Sequence, residues 1–509
     1  MDQIRRTFRT TVSTSASVLC FLAMGSATRA SRAEEPRLAS EPYLLLEPAE
    51  VTQVVDAFDA GDPFDLHLSV GYQYSNQSSN VLRESVSGGD GQTLDVARYK
   101  ETTHRLNTRM DIGLYHDIAL VLRMPIVLAN DRSLEQLGND ATGAGTAGAT
   151  YNGQTETLFT LPFHAPTRSG IEYLAVGFDF GIMNQYRDAT KPTWVFGFEG
   201  RFDLSSPMHA CDAHPAAGQL QCADPGDVNR DGKYDPNRVD STKEIALESA
   251  SIASRKAGVA RGTTGLELHT YISKRLKYIE PYGGLRMLAE FPTSKSDYNL
   301  VNFEASLVNK PPLEGTFIVG MAVIPWEVRS NYQRTTLDFR FASTYRSEGR
   351  DYSELFDAIG SSPASSLRVP AWSGYQASPS DATKSVINPN SRRVYFNGLT
   401  DVQQHIKNRF STEFTWQAAK YVKFGVGIAY TVIQSHYITY DQACNANFTD
   451  TPDVSGPCRK DNSAASSTPY NVTGIPNPNY RQSINAMGRR YLVSGSDAFD
   501  GWLNATVMF

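Results

Sequence analysis

The chain lacks, past its leader, any uncharged apolar run approaching the roughly 18 residues that a membrane-spanning helix requires, so a helical membrane protein is excluded. It also lacks a basic surplus. The 48 Lys and Arg stand against 54 Asp and Glu, a net charge of -6, and no electrostatic footprint for nucleic acid remains. Cysteine is scarce, with five in 509 residues, and none forms a Cys-x-x-Cys, which leaves redox catalysis and structural zinc without support. Aromatics are not scarce: 25 Tyr, 24 Phe and 5 Trp supply more apolar area than a disordered chain tolerates. What is left is a soluble β-rich protein or a β-barrel that crosses a membrane.

The first residues set the compartment. Arg5, Arg6 and Arg9 precede an apolar stretch, Val12 to Met24, and then small residues where a signal peptidase could cut after Ala27, Ala30 or Ala33. Residues 1–33 therefore read as a secretory signal peptide. Its removal leaves two local cysteine pairs, Cys211 with Cys222 and Cys444 with Cys458, each enclosed by turn-forming residues. In an oxidising compartment two local disulfides follow.

The body of the chain has a period of two. Phe64, Leu66, Leu68, Val70, Tyr72 and Tyr74 alternate with Asp65, His67, Ser69, Gly71 and Gln73; Leu106, Thr108, Met110, Ile112 and Leu114 do the same against Arg105, Asn107, Arg109, Asp111 and Gly113. Ten further segments repeat the pattern: Ile118 to Leu128, Leu174 to Ile182, Trp194 to Phe202, Leu266 to Ile272, Leu285 to Phe291, Phe317 to Val323, Leu337 to Tyr345, Phe410 to Trp416, Phe424 to Val432 and Leu503 to Phe509. Their links alternate short and long, with Gln77 to Glu101 among the long ones. Pro125 within the third segment removes a ladder donor and predicts a bulge or a shortened strand.

Alternation alone cannot separate a soluble sandwich from a barrel in lipid. Aromatics at the strand ends (Tyr72, Tyr74, Trp194, Phe202, Phe291, Tyr345, Trp416, Tyr430) and a last strand running Leu503, Ala505, Val507, Phe509 favour the barrel. With the leader and the alternating loops, residues Phe64 to Phe509 resemble a bacterial outer-membrane β-barrel, although no motif assigns a particular porin, fatty-acid transporter or siderophore receptor. The resemblance implies an all-β fold, a single antiparallel transmembrane barrel of about twelve strands with long extracellular loops. It also implies the outer membrane of a Gram-negative cell, contact with its lipid, and recognition of the strand ending in Phe509 by the barrel-assembly machinery. Residues 34–63 would form a periplasmic segment, too short for the plug of a TonB-dependent receptor. Within it Glu47 to Ala60 reads as a short helix with an apolar stripe of Val51, Val54, Val55 and Phe58, ended by Gly61-Asp62-Pro63.

The expected register turns Arg105, Arg109, Asp111, Arg123, Glu199, Arg201, Glu267, Arg286, Asp338, Arg340, Arg409 and Glu413 inward. Such a lining fits an aqueous pore in which fixed charges orient a polar solute, giving a channel for a small polar or amphipathic solute by passive diffusion. A salt-bridge network filling too narrow a barrel remains the alternative, and inward Gly177, Gly181, Gly197, Gly284, Gly320, Gly425 and Gly427 favour space. In a long loop, Asp227, Asn229, Asp231 and Asp235 with Gly232 resemble an EF-hand-like calcium loop, departing from it at Arg238 where a bidentate acid belongs. An enzyme would need an activated nucleophile; Ser435-His436 is the nearest candidate and lacks the pattern of outer-membrane phospholipases, so no enzymatic activity is expected. The long loops also suit a non-conducting adhesin or binding scaffold.

Overall fold

The computed structural model describes residues 49–55, 57–58, 64–84, 93–138, 158–222, 224, 255–294, 296–299, 310–362, 397–439 and 490–509, with three isolated strand pairs between 368 and 476. The leader (1–33) and the calcium-loop candidates Asp227, Asn229, Asp231 and Asp235 lie outside the described residues. Of the two expected disulfides, Cys211–Cys222 is present. The other expected pair, Cys444 with Cys458, lies outside the described residues.

Twelve antiparallel strands form the wall: β1 Leu66–Glu84, β2 Thr93–Tyr115, β3 Ile118–Gln136, β4 Leu174–Met183, β5 Thr193–Phe202, β6 Thr263–Ser273, β7 Ile279–Pro292, β8 Glu314–Val328, β9 Gln333–Arg346, β10 His405–Ala419, β11 Val422–Ile433 and β12 Tyr491–Met508. Each pairs with its neighbours in sequence, and β12 returns to β1 through Leu68↔Val507, Gly71↔Asn504 and Tyr74↔Gly501. The sheet is thus a closed barrel of twelve strands. All twelve segments with a period of two become strands. The link expected from Gln77 to Glu101 does not: β1 and β2 continue through it as paired strands, Ser78↔Lys100 to Glu84↔Thr93. Polar residues there hide a strand, because a wall rising above an apolar belt needs no apolar face.

Pro125 is accommodated as a bulge. The register with the far strand shifts between Arg123↔Ala175 and Ile126↔Ile171, and the Pro125 carbonyl accepts from Glu172 N at 3.0 Å. The missing donor falls where the ladder is already interrupted.

Apolar side chains of the alternation point out of the barrel. Val70, Leu285, Phe339, Phe410, Val426 and Leu503 are all about half exposed, as are the expected ring residues Trp194, Phe202, Phe291, Tyr345, Trp416 and Tyr430. The outer surface is therefore an apolar belt. No water-soluble protein exposes contiguous apolar area on this scale, whereas a barrel in lipid requires it.

The two ends differ. At the long-loop end, a core closes over the wall: Leu158, Phe159 and Phe163, Met208 and Ala210, Tyr298, and Leu355, Phe356 and Ile359 pack with inward residues Val81, Tyr99, Leu134, Tyr491 and Val493. A short α-helix, α1, Phe356–Gly360, sits wholly buried at its centre. Asp357 on α1 binds the Arg168 guanidinium at 2.5 Å, both buried, and the Cys211–Cys222 disulfide lies beside them, with Cys211 N donating to Asp357 at 3.1 Å.

At the short-turn end, the segment from Ala49 runs into the barrel. Of the helix expected over Glu47–Ala60, the described residues form a single 3-10 turn, Glu50–Thr52, with Gln53 after it in extended conformation. β-branched Val51, Thr52, Val54 and Val55 disfavour helix, and barrel partners compensate. Ala49 N donates to Glu280 Oε2 at 3.4 Å, Thr52 Oγ1 lies 2.9 Å from Ser273 Oγ, and Val54 and Val55 pack on Ala119 and Val195.

Candidate functional site: the charged lumen

Inward positions are set by the register. Residues two apart on one strand share a face, so alternating charges of opposite sign become ion pairs along the wall. Arg109 Nε lies 2.8 Å from Asp111 Oδ1, Arg201 Nε 3.1 Å from Glu199 Oε1, and Arg340 Nη2 2.9 Å from Asp338 Oδ2. Pairs across strands complete the network. Arg123 is bidentate on Glu199, with both donors at 2.6 Å, and its Nη2 lies 3.5 Å from Glu267, which Arg201 also binds. Arg105 meets Glu172 at 2.9 Å, and Arg409 meets Asp500. Glu413 accepts from Asn504 Nδ2 at 2.9 Å. Arg286 lines the lumen with no hydrogen bond or ion pair among the described residues.

Several members had no individual signal in the sequence. His269, mid-wall and not at a strand end, sits with Nε2 2.9 Å from Asp179. Tyr282 donates to Asp338 at 2.7 Å and accepts from Arg340 Nε at 2.9 Å. Glu50, carried in by the N-terminal segment, meets Lys423 at 3.4 Å. The partners of Arg105 and Arg409 could be found only through strand register, not through spacing.

The inward glycines are not vacancies. A Cβ on Gly197 would lie 2.2 Å from His269 Nε2 and 2.3 Å from Asp179 Oδ1, and one on Gly427 2.2 Å from the Trp502 ring. These positions lack side chains so that a large neighbour can lie across the wall. The expectation that they leave open space is corrected accordingly.

Space remains in two main places. A lower cavity of about 220 Å³ lies between the N-terminal segment and the wall, lined by Glu50, Val51, Arg109, Val121, Arg123, Glu267, Tyr271, Arg286 and Arg340. An upper cavity of about 270 Å³ lies under the loop core, lined by Tyr99, Glu101, Arg132, Arg346, Asp351, Glu354, His405, Lys407 and His436. Asp351 belongs to a loop strand, Gly349–Asp351. Burial pushes its carboxyl up, but Arg261 and Arg346 outweigh this and hold it at about 2. At the loop foot after β5 the balance reverses, and burial pushes Asp203 up to about 6 despite donation from Thr263 N at 2.8 Å.

Ser435 and His436 do not act together. Ser435 is exposed, while His436 is buried and stacks on His405 with ring centroids 4.0 Å apart and planes 14° apart. Among the described residues, no group of three or more His, Cys, Asp or Glu could hold a metal ion.

No protein-family model matches the chain. No curated protein matches it either. Among solved structures it is similar, at low identity and low TM-score, to several outer-membrane proteins. An outer membrane channel from Pseudomonas putida F1 is 8% identical with a TM-score of 0.35, covering 88% of this chain and 96% of that one. A FadL homologue of Pseudomonas aeruginosa is 8% identical at 0.31 (87% and 90%), and the P. putida toluene transporter TodX 7% at 0.28 (87% and 90%). At such scores the assignment rests on the chain's own register and belt: a closed, twelve-stranded antiparallel β-barrel of the outer-membrane kind.

Proposed function

We propose that the protein is an outer-membrane channel that passes a small polar or amphipathic solute by passive diffusion. The observation that carries this reading is the inversion of the barrel, apolar outside and charged inside, with polar cavities within the wall. In that orientation the short turns face the periplasm and the loop core faces outward. The leader would bring the chain across the inner membrane, and the strand ending in Phe509, whose backbone N donates to Leu66 O at 2.9 Å, would be the segment read by the assembly machinery. Fixed charges lining a narrow tube orient a polar solute, and Arg109, Arg123, Glu199, Glu267, Asp338 and Arg340 are placed to do so. Purified protein in a planar bilayer should give discrete conductance steps. A non-conducting surface scaffold is favoured by one feature, the apolar core closing the loop end. Silence in the bilayer, both for the whole protein and for a variant lacking residues 49–55, would establish the scaffold instead.

A further inference from the structure

The upper cavity is lined by as many cations as anions, and most of them are paired. Arg132 holds Glu101 at 3.3 Å, Arg261 holds Asp351 at 2.7 Å, and Arg346 binds both Asp351 and, at 2.8 Å, Glu314. Lys407 and Glu354 line the same space and feel each other's field without touching: neither makes a hydrogen bond or ion pair among the described residues. A cation and an anion held apart in one small cavity give it a field with a direction and no net charge.

Two imidazoles stand beside them in a repeated setting. Gln403-Gln404-His405 and Gln434-Ser435-His436 interlock as near equivalents. Gln403 N donates to Tyr437 O and Gln434 N to Ile406 O, both at 2.9 Å, while Ile406 N and Tyr437 N donate to the Gln434 and Gln403 side-chain oxygens, both at 3.1 Å. Each ring has its Nδ1 2.9 Å from the carbonyl oxygen two residues before it. A carbonyl only accepts, so Nδ1 carries the hydrogen and Nε2 keeps its lone pair. Burial holds His436 below the ordinary histidine range, and a positive charge on both rings, stacked 4.0 Å apart, is unfavourable. Neither Nε2 has a hydrogen-bond partner among the described residues, and both rings line the cavity.

We infer that the upper cavity binds a small free amino acid, its ammonium group on Glu354 and the Nε2 atoms of His405 and His436 and its carboxylate on Lys407. The inference rests on the channel reading and gives its solute a chemical class. A zwitterion has no net charge, which suits a cavity whose own charges balance, and its two ends align with the field between Lys407 and Glu354. Imidazole lone pairs take N–H donors, so a primary ammonium group is preferred to a quaternary one. Val402 and Ile433 supply apolar wall for the side chain, and about 270 Å³ has room for an amino acid the size of leucine.

The experiment uses full-length mature protein in detergent, with leucine as the probe in equilibrium dialysis. Leucine should bind saturably, whereas N-acetylleucine, which lacks the ammonium group, and leucinamide, which lacks the carboxylate, should each bind about tenfold more weakly or worse. Lys407→Met should weaken leucine binding about tenfold and erase the preference over leucinamide; Glu354→Gln should do the same for the preference over N-acetylleucine. These preferences compare ligands on one protein, so a change in stability does not produce them, and the wild-type series stands even where a variant does not fold. Absence of saturable leucine binding would overturn the inference, as would N-acetylleucine or leucinamide bound as tightly as leucine by the wild type, or equal leucine binding by wild type and both variants. N-trimethylated leucine bound as tightly as leucine would remove the imidazoles from it. Conductance without leucine binding would defeat the amino-acid site and leave the channel standing; leucine binding without conductance would defeat the channel and leave the site.

Discussion

The described residues at the two ends of the barrel are held by unlike means. The loop end has a hydrophobic core of its own, with α1 buried at its centre, a buried Arg168–Asp357 pair and a disulfide. The turn end is covered by one short segment, held by a few hydrogen bonds, the Glu50–Lys423 pair and the contacts of Val54 and Val55. A core opens only by losing its packing, whereas a tethered segment can leave the lumen while the wall stays intact. By this argument the N-terminal segment is the more easily displaced of the two.

The largest expected effect is therefore in the roof. Arg168→Ala leaves Asp357 buried, with the Cys211 backbone N–H as its remaining donor, and should cost about 3 to 5 kcal/mol. The double variant Arg168→Met, Asp357→Leu should recover most of that loss, because it removes the stranded charge. Melting followed by circular dichroism in detergent would test this. A silent Arg168→Ala would mean the roof is no core at all, and the comparison of the two ends would fail.

At the turn end the expectation is opposite in kind. Removing residues 49–55 should raise conductance several-fold, since Glu50, Val51 and Gln53 occupy the lower lumen, and should move the melting temperature much less than Arg168→Ala does. A variant that melts early without added current would make the segment part of the barrel's structure. Glu50→Gln is the milder form. It frees Lys423, leaves the segment's apolar contacts, and should raise conductance less than the deletion.

The two ends were also unequally legible. Twelve strands could be read because each must present an apolar residue to lipid at every second position, and Arg109/Asp111, Glu199/Arg201 and Asp338/Arg340 could be read as inward for the same reason. Leu355, Phe356 and Ile359 follow no strand or long-helix period; their burial depends on loops meeting from distant parts of the chain. The upper parts of β1 and β2 stand above the belt, and their polar sequence looked like a loop. Pairing between strands of the wall, as in Arg105–Glu172 and Arg409–Asp500, depends on register, which spacing within one strand does not encode. The inward glycines misled for a related reason: Gly197 matters through the His269 and Asp179 side chains beside it.

The smallest effect expected at the roof is that of the disulfide. Cys211 and Cys222 are joined with a sequence separation of 11, and closing so short a loop contributes at most about 3 kcal/mol by the chain-entropy account. That contribution belongs to the loop that Cys211–Cys222 closes. Arg168–Asp357 and the apolar contacts of α1 persist without it, because neither depends on the S–S bond. Reduced protein should thus keep its melting temperature to within a few degrees, far inside the change produced by Arg168→Ala. Joined in a disulfide, Cys211 and Cys222 offer maleimide no thiol before reduction, and because both are buried they should label slowly even afterwards while the roof holds. Immediate labelling of Cys211 on reduction, together with a drop in melting temperature as large as that of Arg168→Ala, would show that the disulfide holds the roof together. The loop end would then be a strap, similar in kind to the turn end.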